Sequence, residues 1–167
     1  MKEASEAEIE YLHDFVDHQI KIHTRQLYYH SLFISLYFFL ERKMYQLYRI
    51  AEEHQSLKIK DISDDGIFKY YKWLKIVLGI NLDALNAEWI EIRKYNKLRN
   101  KFVHSWTNTL ENVDNNKEMI RTLQSINNLL VIDKGDYLEF EITDKELLMT
   151  FCKIISKFLH KVYFEKA

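Results

Sequence analysis

The chain has 167 residues, 47% of them hydrophobic, with no proline, three glycines and one cysteine. That length supports one domain with a sizeable core, and a proline-free composition argues for a mostly helical domain rather than a loop-rich or disulfide-stapled one. A formal net charge of −1 excludes a polycation, so any nucleic-acid contact must come from local charge.

The first helix is expected from the capping box Ser5-Glu-Ala-Glu8 to about residue 23. The N-terminus is acidic, through Glu3, Glu6, Glu8 and Glu10, the reverse of the basic start of a signal peptide. Histidines 13, 18 and 23 are spaced by five, so they do not share a helix face. Asp14 and His18 do, but two ligands make a weak site, and no metal is expected. An aromatic-rich second helix covers about 24–54, either continuous with the first or kinked from it. Its apolar run 31–40 is about half the roughly 20 residues a bilayer span needs. It reads as a helix buried on most sides or as a subunit interface, not as a membrane segment. Tyr28, Tyr29, Phe33, Tyr37 and Phe38 fit core or interface better than a base-stacking platform.

Residues 55–65 read as a polar loop ending at Asp65-Gly66. A short helix is expected over 67–78, closed by Gly79, with Asn81 placed to cap the next. That helix, about 82–106, carries apolar residues at near-helical spacing: Leu82, Leu85, Trp89, Ile92 and Val103, with Arg99 near the stripe. Arg93, Lys97, Asn100 and His104 form a polar stripe on one face. The chain is then polar to about residue 116, and a short helix follows through Ser125. Two β-prone runs, 129–132 and 137–142, flank Asp133-Lys-Gly-Asp136 and predict a hairpin. A capping box at Thr143-Asp-Lys-Glu146 opens a last helix, about 144–164. Its core face is Leu147, Leu148, Phe151, Ile154, Ile155, Phe158 and Leu159. The lone Cys152 lies in this apolar stretch and is expected to be a buried thiol, as suits a reducing, cytoplasmic setting.

The stretch that points to chemistry is Arg99-Asn100-Lys101-Phe102-Val103-His104. A histidine can take a proton from a ribose 2′-OH near neutral pH, and a fixed guanidinium can hold a phosphate and the charge that builds on it. The bare spacing Arg-x-x-x-x-His is weak evidence, because it also occurs at Arg25–His30 and Arg49–His54. Only the third copy has a polar amide directly after the arginine. Only it sits among Arg93, Lys94, Lys97 and Lys101 with no acid from 93 to 104, the local charge that phosphate binding wants. Without further information, a basic helix end complementing the helix dipole explains the same residues.

Leu98-Arg99-Asn100-x-x-x-His104 resembles the Arg-polar-x-x-x-His motif of HEPN domains. The resemblance covers this segment specifically and the rest of the chain in layout only. It implies a mainly α, up-and-down helical bundle, here with a short β-hairpin before the last helix, as a single domain over residues 1–167. It also implies a metal-independent endoribonuclease acting on RNA, without cofactor, as a homodimer whose two motifs face each other across a composite cleft. Many small bacterial members are toxins or anti-phage effectors, some held by an antitoxin protein. In that picture His104 is the general acid/base, Arg99 stabilises the phosphorane, and Asn100 orients His104 or donates to phosphate. Arg93, Lys97 and Lys101 bind RNA, and the product is a 2′,3′-cyclic phosphate. Members neutralised by adenylylation often carry a tyrosine two residues after the histidine, where this chain has Trp106. The alternative is a non-catalytic helical module of the same class that binds a partner protein or nucleotide.

Overall fold

The computed structural model describes residues 6–53, 55–104 and 108–164. The fold is mainly α: the described residues form five helices and a small antiparallel sheet late in the chain. Among the described residues no helix is long and apolar enough to cross a membrane.

The first helix, α1 (Glu6–Glu52), is one continuous rod of 47 residues. No glycine or proline precedes Gly66, so nothing in the sequence breaks the helix near residue 24. At about 1.5 Å per residue it is roughly 70 Å long. Only its second half joins the core: Phe33, Tyr37, Leu40, Met44 and Tyr48 are buried, at the three- and four-residue steps that keep one face turned inward. Leu32, Phe38 and Phe39 remain exposed, so the 31–40 run is buried on one face rather than on most sides. Ser5 and His54 lie outside the described residues.

A short 3-10 turn at Ile59–Asp61 leads into α2 (Gly66–Val77). Trp73 of α2 is fully buried and donates its indole N–H to the Leu57 carbonyl at 3.0 Å, so its one polar atom is satisfied inside the core. Gly79, at φ +64°, turns the chain out of α2 in the left-handed conformation glycine adopts without strain. A 3-10 turn at Asp83–Leu85 then precedes α3 (Asn86–His104), which starts four residues later than the periodicity suggests. Trp89, Ile92, Tyr95 and Leu98 of α3 are buried, whereas Val103, expected on the apolar stripe, is exposed. The stripe drifts around the helix, and Phe102 takes the inward position, packing on Phe33 and Phe140.

The polar stretch after α3 contains an unexpected strand, β1 (Thr109–Glu111), and a 3-10 turn at Asp114–Asn116 before α4 (Lys117–Gln124). The predicted hairpin is present as β2 (Leu130–Asp133) and β3 (Tyr137–Glu141), turning at Gly135 with φ +86°. β3 is central in the order β1-β3-β2, with Thr109 opposite Glu139 and Leu130 opposite Glu141. Leu138, Phe140 and Ile142 alternate into the core, as a half-buried strand requires. The last helix, α5 (Glu146–Phe164), begins where Asp144 Oδ1 accepts the Glu146 amide at 2.8 Å. Leu147, Leu148, Phe151, Ile155 and Phe158 are buried, and Ile154 and Leu159 pack against them half-buried. Phe151 brings α5 to Tyr95 of α3 and Phe33 of α1, with ring centroids 4.4 and 5.3 Å away.

Cys152 is exposed, not buried. It lies one step, about 100°, round the helix from Phe151. That step turns it into an apolar groove of about 500 Å³ between α1 and α5, lined also by Phe39, Leu159 and Phe164.

Candidate functional site

Arg99, Asn100 and His104 all lie on the last two turns of α3. Tyr95 and Leu98 are buried on the same stretch, so the rotation of α3 is fixed by its packing and the polar residues take the positions left over. Just beyond α3, Asn108 donates its side-chain N–H to the Phe140 carbonyl at 3.1 Å and accepts the Phe140 amide at 2.9 Å on its own carbonyl. The sheet therefore pins the chain four residues after His104.

Arg99 points into the molecule. Its guanidinium lies over the rings of Tyr37 and Phe38, 5.6 and 5.2 Å from their centroids. Nη1 donates to Asn100 Oδ1 at 3.0 Å, and Nε is buried without a hydrogen-bond partner among the described residues. Two aromatic faces and one amide hold the group in place. Arg99 and Asn100 line a polar cavity of about 290 Å³ where α1, the start of α2 and α3 meet. Tyr37, Glu41, Asp65, Gly66 and Asn96 complete its polar lining, beside Ile67 and Phe68. Tyr37 donates its hydroxyl to Asn96 Oδ1 at 2.7 Å. Its pKa is raised by burial first and by the Glu41 carboxylate second, while the Arg99 cation works the other way. The phenol is therefore a hydrogen-bond donor here and not a base.

His104 stands apart from that cavity. It is exposed on the final turn of α3 and does not line the Arg99 pocket. The structure thus brings Arg99 and Asn100 together and leaves His104 facing solvent. Five helical residues separate Arg99 from His104 by about 7.5 Å of rise and roughly 140° of rotation, so one helix does not close the pair around one phosphate.

The expected RNA-binding residues are also dispersed. Arg93 is exposed and lines a shallow groove with Asp64, Lys72, Lys75 and Trp89. Lys97 is engaged: Nζ donates to Glu118 Oε1 of α4 at 2.7 Å and lies 3.4 Å from Thr122 Oγ1. The Lys97 ammonium holds the Glu118 carboxyl below its ordinary range. Glu118 is exposed, so the pair is a weak surface contact that is readily exchanged for a phosphate. Lys101 is half-buried one residue before Phe102.

Several participants escaped the sequence reading. Glu41 was visible only as the residue closing an apolar run, and Asp65 as part of a turn. Phe102 was a spacer in the motif, yet its ring stacks on His30 with centroids 3.9 Å apart. Burial lowers the His30 pKa, with the Glu141 carboxylate opposing. The buried Glu88 pairs with Lys157 of α5. Trp106 lies outside the described residues. Among the described residues no group of three or more histidine, cysteine, aspartate or glutamate side chains is placed to hold a metal ion. In comparisons with protein families, with curated proteins and with solved structures, nothing matches this chain.

Proposed function

We propose that the protein is a metal-independent endoribonuclease of HEPN type, a cytoplasmic toxin or anti-phage effector that works as a homodimer. The observation that carries this reading is a fixed guanidinium and an exposed imidazole on the same two turns of one helix, with Asn100 bonded to the first and one turn from the second. Because a single copy does not converge on one phosphate, the reading requires the motifs of two copies to face each other. His104 of one copy accepts the 2′-OH proton as the oxygen attacks phosphorus. His104 of the other returns a proton to the departing 5′-oxygen. Arg99 stabilises the phosphorane, and Asn100 keeps the guanidinium and imidazole in register. Arg93 and Lys101 hold flanking phosphates, joined by Lys97 once it exchanges Glu118 for RNA. The products are a 2′,3′-cyclic phosphate and a 5′-hydroxyl. An antitoxin protein that covers the motif fits the same reading.

One specific observation favours the second reading, a non-catalytic module that binds a partner protein or nucleotide. Glu41 and Asp65 line the Arg99 cavity, and two carboxylates beside one cation repel phosphate. The test that separates the readings uses an RNA cut by the protein and the same RNA with a single 2′-deoxy nucleotide at the cut position. The nuclease reading predicts that cleavage at that position is abolished while neighbouring sites still react. Cleavage that ignores the missing hydroxyl, or no cleavage of any RNA, contradicts it.

A further inference from the structure

The cavity around Arg99 holds carboxylates that the cleavage steps leave unused. Glu41 of α1 and Asp65, just ahead of α2, line it together with two amides of α3, Asn96 and Asn100. These amides lie four residues apart, on one face of the helix. Neither is free to turn over. Arg99 can only donate, so its Nη1 bond at 3.0 Å fixes Asn100 with Oδ1 toward the guanidinium. Tyr37 donates its hydroxyl to Asn96 Oδ1 at 2.7 Å. Both amides therefore have the oxygen engaged and present Nδ2 as a donor, without a hydrogen-bond partner among the described residues. The carboxylates of Glu41 and Asp65 also lack a hydrogen-bond or ion-pair partner among the described residues, and they present acceptors. Glu41 is half-buried, and a Cβ at Gly66 would come within 3.3 Å of its Oε1. The carboxylate thus lies against the first turn of α2, where the helix dipole favours its ionised form.

This lining excludes most small ligands. Two carboxylates against the one Arg99 cation leave it with a formal charge of −1, which repels phosphate and other anions. The guanidinium in turn disfavours a second cation beside it. A neutral ligand with its own donors and acceptors remains. The volume, about 290 Å³, lies at the lower end of the roughly 300–1,000 Å³ of small-molecule sites, so one planar ring system fits better than a dinucleotide. Tyr37 and Phe68 supply aromatic wall. We propose that the cavity binds a guanine base and is the base-specificity site of the ribonuclease. Among the four RNA bases only guanine sets two neighbouring donor groups, N1–H and the N2 amino group, beside two acceptors, O6 and N7. Glu41 and Asp65 accept from the donors, and Asn96 and Asn100 donate to the acceptors. Adenine, cytosine and uracil each offer a single donor group and set ring acceptors against a carboxylate, a mismatch that a polar site penalises strongly. The place of the base in a cut strand rests on the ribonuclease reading. Arg99 lines the cavity, and its Nη N–H groups not spent on Asn100 are left for the scissile phosphate, so the guanine belongs to a nucleotide adjoining the cut. The carboxylates keep the backbone out and admit the base. Binding of the base itself requires neither His104 nor cleavage.

The test compares three RNAs that differ only in the base of a nucleotide flanking the cut, each flank in turn. The bases are guanine, hypoxanthine, which lacks the N2 amino group, and adenine. Wild type is expected to cleave beside guanine about 10-fold faster than beside hypoxanthine and about 100-fold faster than beside adenine, in kcat/KM. E41Q, shown by circular dichroism to be folded, replaces an acceptor with a donor, and its ratio of guanine to hypoxanthine should fall close to one. Separately, phosphate-free guanosine is titrated into the isotope-labelled full-length chain and followed by NMR. It should shift the side-chain amide signals of Asn96 and Asn100, and adenosine at the same concentration should not. Guanosine shifts without cleavage of any RNA would uphold the base site and remove the ribonuclease reading. No response to guanosine, with equal cleavage beside all three bases or with no cleavage at all, would overturn the base site; in the first case the ribonuclease stands. A guanine preference that E41Q retains in full would also overturn it, because the selection would then come from other residues.

Discussion

At the scale of single residues, Arg99 and His104 differ in what they cost the fold. Arg99 is half-buried, packed on two rings and bonded to Asn100. R99A is expected to lower stability by about 1–2 kcal/mol in urea unfolding, through the lost cation–π and hydrogen-bond contacts. His104 is exposed, so H104A should lie within about 0.5 kcal/mol of wild type. Equal stability losses in the two variants would show that Arg99 is not held as described. His30 supplies a pH dependence. Its pKa is lowered by burial, so the folded state binds fewer protons than the unfolded chain between the folded value and the ordinary 6.5. Its contribution to stability is therefore complete above about 6.5 and is lost as pH falls through the lower folded value. Chemical denaturation from pH 8 to pH 5 should show a fall in wild type that is smaller in H30F, which keeps the stacking on Phe102. An identical fall in both would place the titration elsewhere.

Between elements, the Glu88–Lys157 pair ties α3 to α5 at the end of α3 opposite His104. Glu88 is buried, and its pKa is lowered first by its hydrogen bond to Lys157, against the opposing effect of burial. K157A removes the hydrogen-bonded cation and leaves Glu88 only the Coulombic support of Lys161, and with Lys157 largely exposed to screening it is expected to cost about 1 kcal/mol at pH 7. Because the folded pKa is depressed, this stabilisation is present above the unfolded value near 4.5 and disappears as pH falls through the folded one. The gap between wild type and K157A should therefore close in acid; a gap independent of pH would mean that packing, not charge, is lost. The helices were legible because each carries a core stripe at helical spacing, as α5 does through Leu147, Phe151, Ile155 and Phe158. The β2–β3 hairpin was legible from β-prone runs around Gly135. β1 was not, because three residues are too few to show an alternation, and its strand character comes from pairing with β3. The exposure of Cys152 was hidden for a related reason: a helix with apolar residues on several faces does not announce which side its neighbours cover.

In the whole molecule, a helical bundle closed by a small sheet holds the motif helix, and a half-helix of α1 projects from it. The adjacency of Arg99, Asn100 and His104 could be read from the sequence, since it needs only one helix. The cavity around Arg99 could not. Tyr37, Phe38, Glu41 and Asp65 reach it from other parts of the chain, and only tertiary packing brings them there. The carboxylates among them set the chemical question that the motif alone does not raise. The activity proposed for this motif is cleavage of RNA without a metal. The most direct measurement is cleavage of labelled transfer RNA and messenger RNA in EDTA by wild type, H104A and R99A, each shown to be folded. Wild type is expected to cut, and each variant to lose about 100-fold or more of the rate. An inert wild type, or variants that cut as well as wild type, would contradict it.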